Sequence, residues 1–171
     1  EPDAVNVMLD PGLAFGTGTH PTTALCLKWL DGLDLRGKTV VDFGCGSGIL
    51  SIAALKLGAK SVDAIDIDPQ ALQATLANAR SNEVDSMLSA MLPSEFCGGQ
   101  VDILMANILA NPLMSLSEKL SSYVDVDGKI VLSGILFEQA DEVIKAYNNY
   151  FTLDLMRRKN EWCLLSGTKK K

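Results

Sequence analysis

The chain should fold as an α/β domain, a seven-stranded, mostly parallel, doubly wound sheet that ends in an antiparallel hairpin. Three features carry that expectation. From residue 38 onward, short β-branched or alternating apolar runs give way repeatedly to stretches of helical periodicity, as a parallel sheet covered by helices on both faces requires. Residues Val40–Leu50 read Val-Val-Asp-Phe-Gly-Cys-Gly-Ser-Gly-Ile-Leu, a buried strand, a tight turn and a helix start in immediate succession. At the C-terminal end, two strand-like runs are separated only by Arg157–Glu161, short enough for a hairpin.

The elements follow in order. Residues 1–36 form a leading segment and a helix over Thr22–Leu30, and 37–171 form the core of a single domain. Thr39–Phe43 is the first strand, and Ile49–Leu57 is a helix stopped by Gly58. Ser61–Ile67 alternates apolar and polar residues as a second strand. Asp68-Pro69 then opens a helix through Arg80, with Asp as N-cap and Pro in the first turn. Ser86–Ala90 is a short third strand and Met91–Gln100 a loop. Val101–Ala106 is the fourth strand, and Pro112–Tyr123 a helix. Asp127-Gly128 turns into the strand Lys129–Ser133, Glu138–Tyr147 is helical, and Phe151–Met156 pairs with Trp162–Gly167.

Composition narrows the function classes. At 171 residues and 47% hydrophobic content the chain suits one soluble domain with a sizeable core. No apolar run reaches the roughly 18 residues of a membrane span. Four cysteines lie scattered, three among apolar neighbours, which suits reduced thiols in a cytoplasmic protein. A zinc site is not expected, because His20 is the sole histidine. The net charge is −6, and without terminal Lys169, Lys170 and Lys171 the remaining 12 basic against 21 acidic residues leave about −9. Nucleic-acid binding calls for a basic stripe, and none appears. An acidic body suits a cationic partner such as a lysine-rich protein.

Ligands of open parallel sheets sit beyond the carboxyl ends of the strands, so residues there carry the chemistry. A dinucleotide fingerprint beginning at Gly44 and Gly46 would need glycine at 49, where Ile49 stands. The pattern here, Asp-x-Gly-x-Gly-x-Gly, is the form seen in class I S-adenosylmethionine-dependent methyltransferases. Asp42 closes the first strand; its carboxylate is expected to take the N–H groups of the glycine turn and to lie near the cationic end of the cofactor. Asp66, 18 residues after Gly48, stands where a carboxylate accepts from both ribose hydroxyls; Asp68 competes but is better used as the helix cap. Asn107, just past the fourth strand, offers an amide oxygen to a substrate amine. Asn111-Pro112 superficially resembles an Asn-Pro-Pro-Tyr motif but fits equally a helix start with Asn as cap.

The segment Leu9–Thr23 is too rich in Gly and Thr for regular structure and makes sense as a lid. Phe15 supplies an aromatic surface, and Thr22 or Thr23 supplies hydroxyls and N–H groups at a helix N-terminus for a carboxylate. His20 is either a helix-start residue or a direct participant.

Together these segments resemble one family, the methyltransferase of ribosomal protein L-eleven. The lid segment, Val41–Gly48, Ala64–Pro69, Ala106–Ala110, Leu132–Leu136 and Glu161-Trp162-Cys163 match it in order. The resemblance implies methylation of lysine and α-amino groups on a ribosomal protein, with S-adenosylmethionine as methyl donor. It implies cofactor contacts from Phe15, Gly16, Thr17 and Thr23, and it agrees with binding roles for Gly44, Gly46, Asp66 and Asn107. It also implies that the family's small N-terminal substrate-gripping domain is missing from this chain, which is expected to be a monomer. Two alternatives stay open: a methyltransferase for a nucleic-acid or small-molecule amine, and a non-catalytic cofactor- or partner-binding module.

Overall fold

The computed structural model describes residues 5–10 and 19–171. Its strands are β1 (Thr39–Phe43), β2 (Ser61–Ile65), β3 (Leu88–Met91), β4 (Val101–Asn107), β5 (Val124–Leu136), β6 (Phe151–Lys159) and β7 (Trp162–Lys169). Its helices are α1 (Pro21–Asp31), α2 (Ile49–Lys56), α3 (Pro69–Ser81), α4 (Ala110–Ser115), α5 (Ser117–Ser122) and α6 (Ala140–Tyr147). The strands form one sheet in the order β3-β2-β1-β4-β5-β7-β6. The five strands β1 to β5 are parallel, and β7 runs antiparallel to both its neighbours. The expected hairpin is present, with its second strand inside the sheet and β6 at the edge.

Strand alternation divides the core. Val40, Val62 and Met105 face a cluster with Leu30, Ile52 and Leu55 from α1 and α2. Val41, Ile65 and Leu104 face the opposite cluster with Leu113, Leu120 and Tyr147 from α4, α5 and α6. Successive side chains of a strand point to opposite faces, so adjacent valines serve two cores. Every residue of α2 from Ile49 to Leu55 is buried, which explains why it lacks an amphipathic stripe. Tyr147 is fully buried, and its hydroxyl donates to the Leu113 carbonyl at 2.8 Å, so α6 is tied to α4 without leaving a polar group unsatisfied.

Some boundaries differ from those expected, each for a local reason. Asp68 caps α3 as foreseen, accepting the Gln70 N–H at 2.9 Å. The helix expected at 112–123 is two: α4 opens at Ala110, with Pro112 in its first turn where its missing N–H costs nothing. Asn111 therefore lies inside α4 and is not its cap. The Ser115 hydroxyl shares the Pro112 carbonyl at 3.0 Å, and the chain turns at Leu116 before α5. β2 stops at Ile65, whose carbonyl is taken by the N–H groups of Gly44 and Cys45 at 2.7 and 3.1 Å. Asp127-Gly128 is a bulge inside β5, since Val101 pairs with Val124 but Ile103 with Lys129. A second β5 bulge lies at Ser133-Gly134, with Gly134 at φ 82°. All four cysteines are free, three of them buried. Among the described residues no helix is long and apolar enough to cross a membrane.

Residues 8–10 form a strap along α3. Met8 N–H donates to Asn82 Oδ1 at 2.9 Å, Asn82 Nδ2 donates back to the Met8 carbonyl at 2.6 Å, and Asp10 N–H donates to Asn78 Oδ1 at 3.0 Å.

Candidate active site

The carboxyl ends of β1, β2 and β4 open into a cleft of about 1360 Å³, larger than the roughly 300–1,000 Å³ of ordinary single-ligand pockets. One side is the backbone of the turn Gly44–Ser47 at the end of β1. Gly44 has φ 79°, and a Cβ there would lie 2.3 Å from Ile108 Cγ2 on the exit of β4. No side chain fits between the two strand ends, so glycine is required by space as well as by conformation. The turn is braced from α3: Thr75 Oγ1 donates to the Gly46 carbonyl at 3.0 Å, and Asn78 Nδ2 to the Ser47 carbonyl at 2.9 Å.

Asp66 lines the cleft directly after β2. Its Oδ2 accepts the Gly46 N–H at 2.9 Å and its Oδ1 the Asp68 N–H at 3.0 Å. Two bonds fix the carboxylate and leave about two lone-pair sites for a ligand's hydroxyls. The next residue, Ile67, is 81% exposed, and Leu109 on the facing exit of β4 is 65% exposed. Large apolar side chains bared at the mouth of a cleft invite a flat apolar ligand group.

Asp42 departs from its expected place. It is buried behind the turn, outside the cleft wall, and accepts from the Ser51 N–H and hydroxyl at 3.1 and 2.6 Å on one oxygen. The glycine-turn N–H that it was expected to hold goes to Asp66 instead. The other oxygen, Oδ1, is buried without a hydrogen bond. Burial pushes the carboxyl up to about 6, with Asp66 adding like-charge repulsion and the Ser51 bonds opposing the rise.

Asn107 is the last residue of β4 and lines the cleft, its Nδ2 donating to Thr23 Oγ1 at 3.4 Å. That bond turns one of the amide's two N–H donors toward α1 and leaves the oxygen for a substrate. Thr23 belongs to the wall, buried in the first turn of α1. His20 is the N-cap of α1: its Nδ1 accepts the Thr22 N–H at 3.4 Å and lies 2.8 Å from Thr22 Oγ1. A ring nitrogen that accepts there places the neutral ring's proton on Nε2. Phe15, Gly16 and Thr17 lie outside the described residues. Gly44, Gly46, Asp66, Asn107 and Thr23 are brought together on one cleft.

Several residues in or behind the cleft were given no role by the sequence. Thr75 and Asn78 are buried polar residues on α3, and only the helical spacing of polar groups on an otherwise apolar face could have flagged them. Gly134 is required because a Cβ would meet the Ile108 carbonyl at 2.4 Å. Trp162, the first residue of β7, joins the wall beside His20.

A mostly parallel sheet of this strand order, a glycine turn after β1, an acid after β2 and an asparagine at the end of β4 define a class I methyltransferase fold. Comparison with known proteins gives the family. The family model for ribosomal protein L11 methyltransferase (PrmA) matches residues 1–170, and the chain belongs to that family. It is similar to the ribosomal protein L11 methyltransferase of Alteromonas mediterranea, 58% identical over 170 residues, covering 99% of this chain and 58% of the relative. The chain thus spans somewhat more than half the length of such relatives. Among solved structures, a ribosomal protein L11 methylase from Lactobacillus delbrueckii subsp. bulgaricus superposes with TM-score 0.84 at 38% identity, covering 96% of this chain and 86% of that one. An RNA methyltransferase from Salinibacter ruber, in complex with S-adenosyl-L-homocysteine, shares the fold at TM-score 0.69 and 14% identity, covering 86% of this chain and 92% of that one.

Proposed function

We propose that this chain is the catalytic part of a protein N-methyltransferase that moves methyl groups from S-adenosylmethionine to lysine and α-amino groups of a ribosomal protein. The observation that carries this is the meeting of the Asp66 carboxylate, the Gly44–Ser47 backbone and the Asn107 amide on one cleft. The residues present suit the methyl donor. Asp66 has acceptor capacity for two ribose hydroxyls, Ile67 and Leu109 offer apolar faces for the adenine, and Thr23 offers a hydroxyl at the N-terminus of α1 for the carboxylate. The cofactor, when bound, supplies an electrophilic methyl on a sulfonium, open to in-line displacement by an amine.

The chain's own work is to position the amine and to exclude water. A lysine of pKa about 10.4 must lose its proton, at a cost near 4.6 kcal/mol at pH 7. A neighbouring positive charge and a partly apolar wall both lower that cost. His20 is poorly placed as a base, because its Nδ1 already serves α1 as an acceptor. The proton goes to water, and the Asn107 oxygen accepts from the remaining N–H to align the lone pair. The chain's net charge of −6 favours encounter with a basic protein. The free thiols agree with a reducing, cytoplasmic setting.

Transfer of radiolabel from S-adenosylmethionine to ribosomal protein L11, to ribosomal RNA and to free small amines tests the proposal. Label on protein amines alone is expected. Label confined to RNA or to small amines overturns the substrate class, and no transfer at all favours a binding module.

A further inference from the structure

The motif Glu161-Trp162-Cys163 has no part in the chemistry described so far, yet the half-buried Trp162 lines the same cleft as Asn107. It opens β7, paired with Leu136 of β5, while Asn107 pairs with Ser133 of the same strand. The two residues therefore stand two strands apart, roughly 10 Å between strand axes, with Trp162 set three β5 residues further along the strand direction. That separation leaves room for an ammonium group between the amide and the indole. The His20 ring packs against the indole at 5.1 Å between centroids and 67° between planes, and His20 is itself held by Thr22. The indole thus has a ring partner in the cleft wall. Among the described residues, the cations lying over aromatic rings are Arg158 on Phe137 and Lys169 on Tyr150 and Phe151. None of them occupies Trp162.

We propose that Trp162 sets how many methyl groups the enzyme adds, by giving the methylated ammonium an aromatic wall to rest on. This rests on the amine-methylation function proposed above. Each transfer forms one N–C bond and breaks one sulfonium C–S bond, and the product ammonium must release a proton before the next round. Every added methyl also removes an N–H, so the Asn107 oxygen loses its hold on the nitrogen as methylation proceeds. Asp66, the one carboxylate among the described residues lining the cleft, is engaged with ribose in the proposed complex. The π-face of an indole holds a methylated ammonium without needing any N–H, and does so best in a desolvated site.

The experiment follows methyl states on ribosomal protein L11 by intact mass spectrometry, using the wild type, Trp162→Leu and Trp162→Phe, with cofactor affinity measured by calorimetry. Trp162→Leu is judged by the ratio of its second transfer to its own first transfer, with S-adenosylmethionine affinity read separately. That ratio should fall by roughly tenfold or more, so that monomethylated product accumulates. Trp162→Phe, which keeps a π-face, should restore most of the later transfers. An unchanged methyl distribution in Trp162→Leu, an equal loss at every step, or a wild type that stops at one methyl overturns this role while leaving amine methylation standing. A wild type that binds the cofactor but transfers nothing overturns both.

Discussion

Asp42 gives a quantitative test of how the glycine turn is supported. Its carboxyl is buried, one oxygen lacks any hydrogen bond, and its pKa is raised to about 6, against about 3.9 in an unfolded chain. A folded pKa above the unfolded one means that the native state prefers the protonated acid. The resulting stabilisation is complete below about pH 4 and disappears as pH rises through 6. Two pKa units correspond to about 3 kcal/mol. Asp42→Asn keeps the side chain's shape and removes the titration. Urea unfolding of wild type and variant between pH 4 and pH 8 should therefore show the variant gaining about 2.4 kcal/mol relative to wild type across that window, since the unfolded carboxyl is already half ionised at pH 4, whatever its offset there. Taking the difference between the proteins cancels groups that titrate alike in both. Parallel stability curves would show that Asp42 is not held as a buried acid, and the account of the turn would fail.

Asp66→Ala should weaken S-adenosylmethionine binding at least tenfold by calorimetry; undiminished affinity would place the ribose contact on another group. Asn107→Ala should lower turnover far more than cofactor affinity, and matched losses would remove it from amine positioning. Gly44→Ala adds a methyl 2.3 Å from Ile108 Cγ2 at φ 79°, and should cost about 1–3 kcal/mol in chemical denaturation. Ile108→Ala in the same chain should recover part of that loss; if it recovers none, backbone conformation and not crowding is the cause.

The parallel order, the hairpin and the rim that holds the site were legible because their signals are local. Strand periodicity, the alternate glycines after Asp42 and the Asp68-Pro69 cap each need only a few adjacent residues. What escaped depends on contacts between distant residues. Asp42 and Asp66 are both strand-end acids, and only the placement of Ser51 behind the turn decides which of them faces the cleft. The two bulges of β5 reflect pairing with β4 and β7, which no window along β5 contains. Asn111-Pro112 offered a plausible cap, but the helix starts at Ala110, where proline is tolerated within the first turn.

Asn78 is a shared bracket. Its oxygen holds the Asp10 amide and its nitrogen holds the Ser47 carbonyl, so one side chain clamps both the incoming polypeptide and the ligand loop. A tug on the chain upstream of the cleft is thereby relayed to the loop, and a ligand that stiffens the loop must by reciprocity steady the incoming polypeptide. Slower amide exchange at Met8 and Asp10 when S-adenosylhomocysteine binds would register that mechanical link, and exchange indifferent to the ligand would sever it.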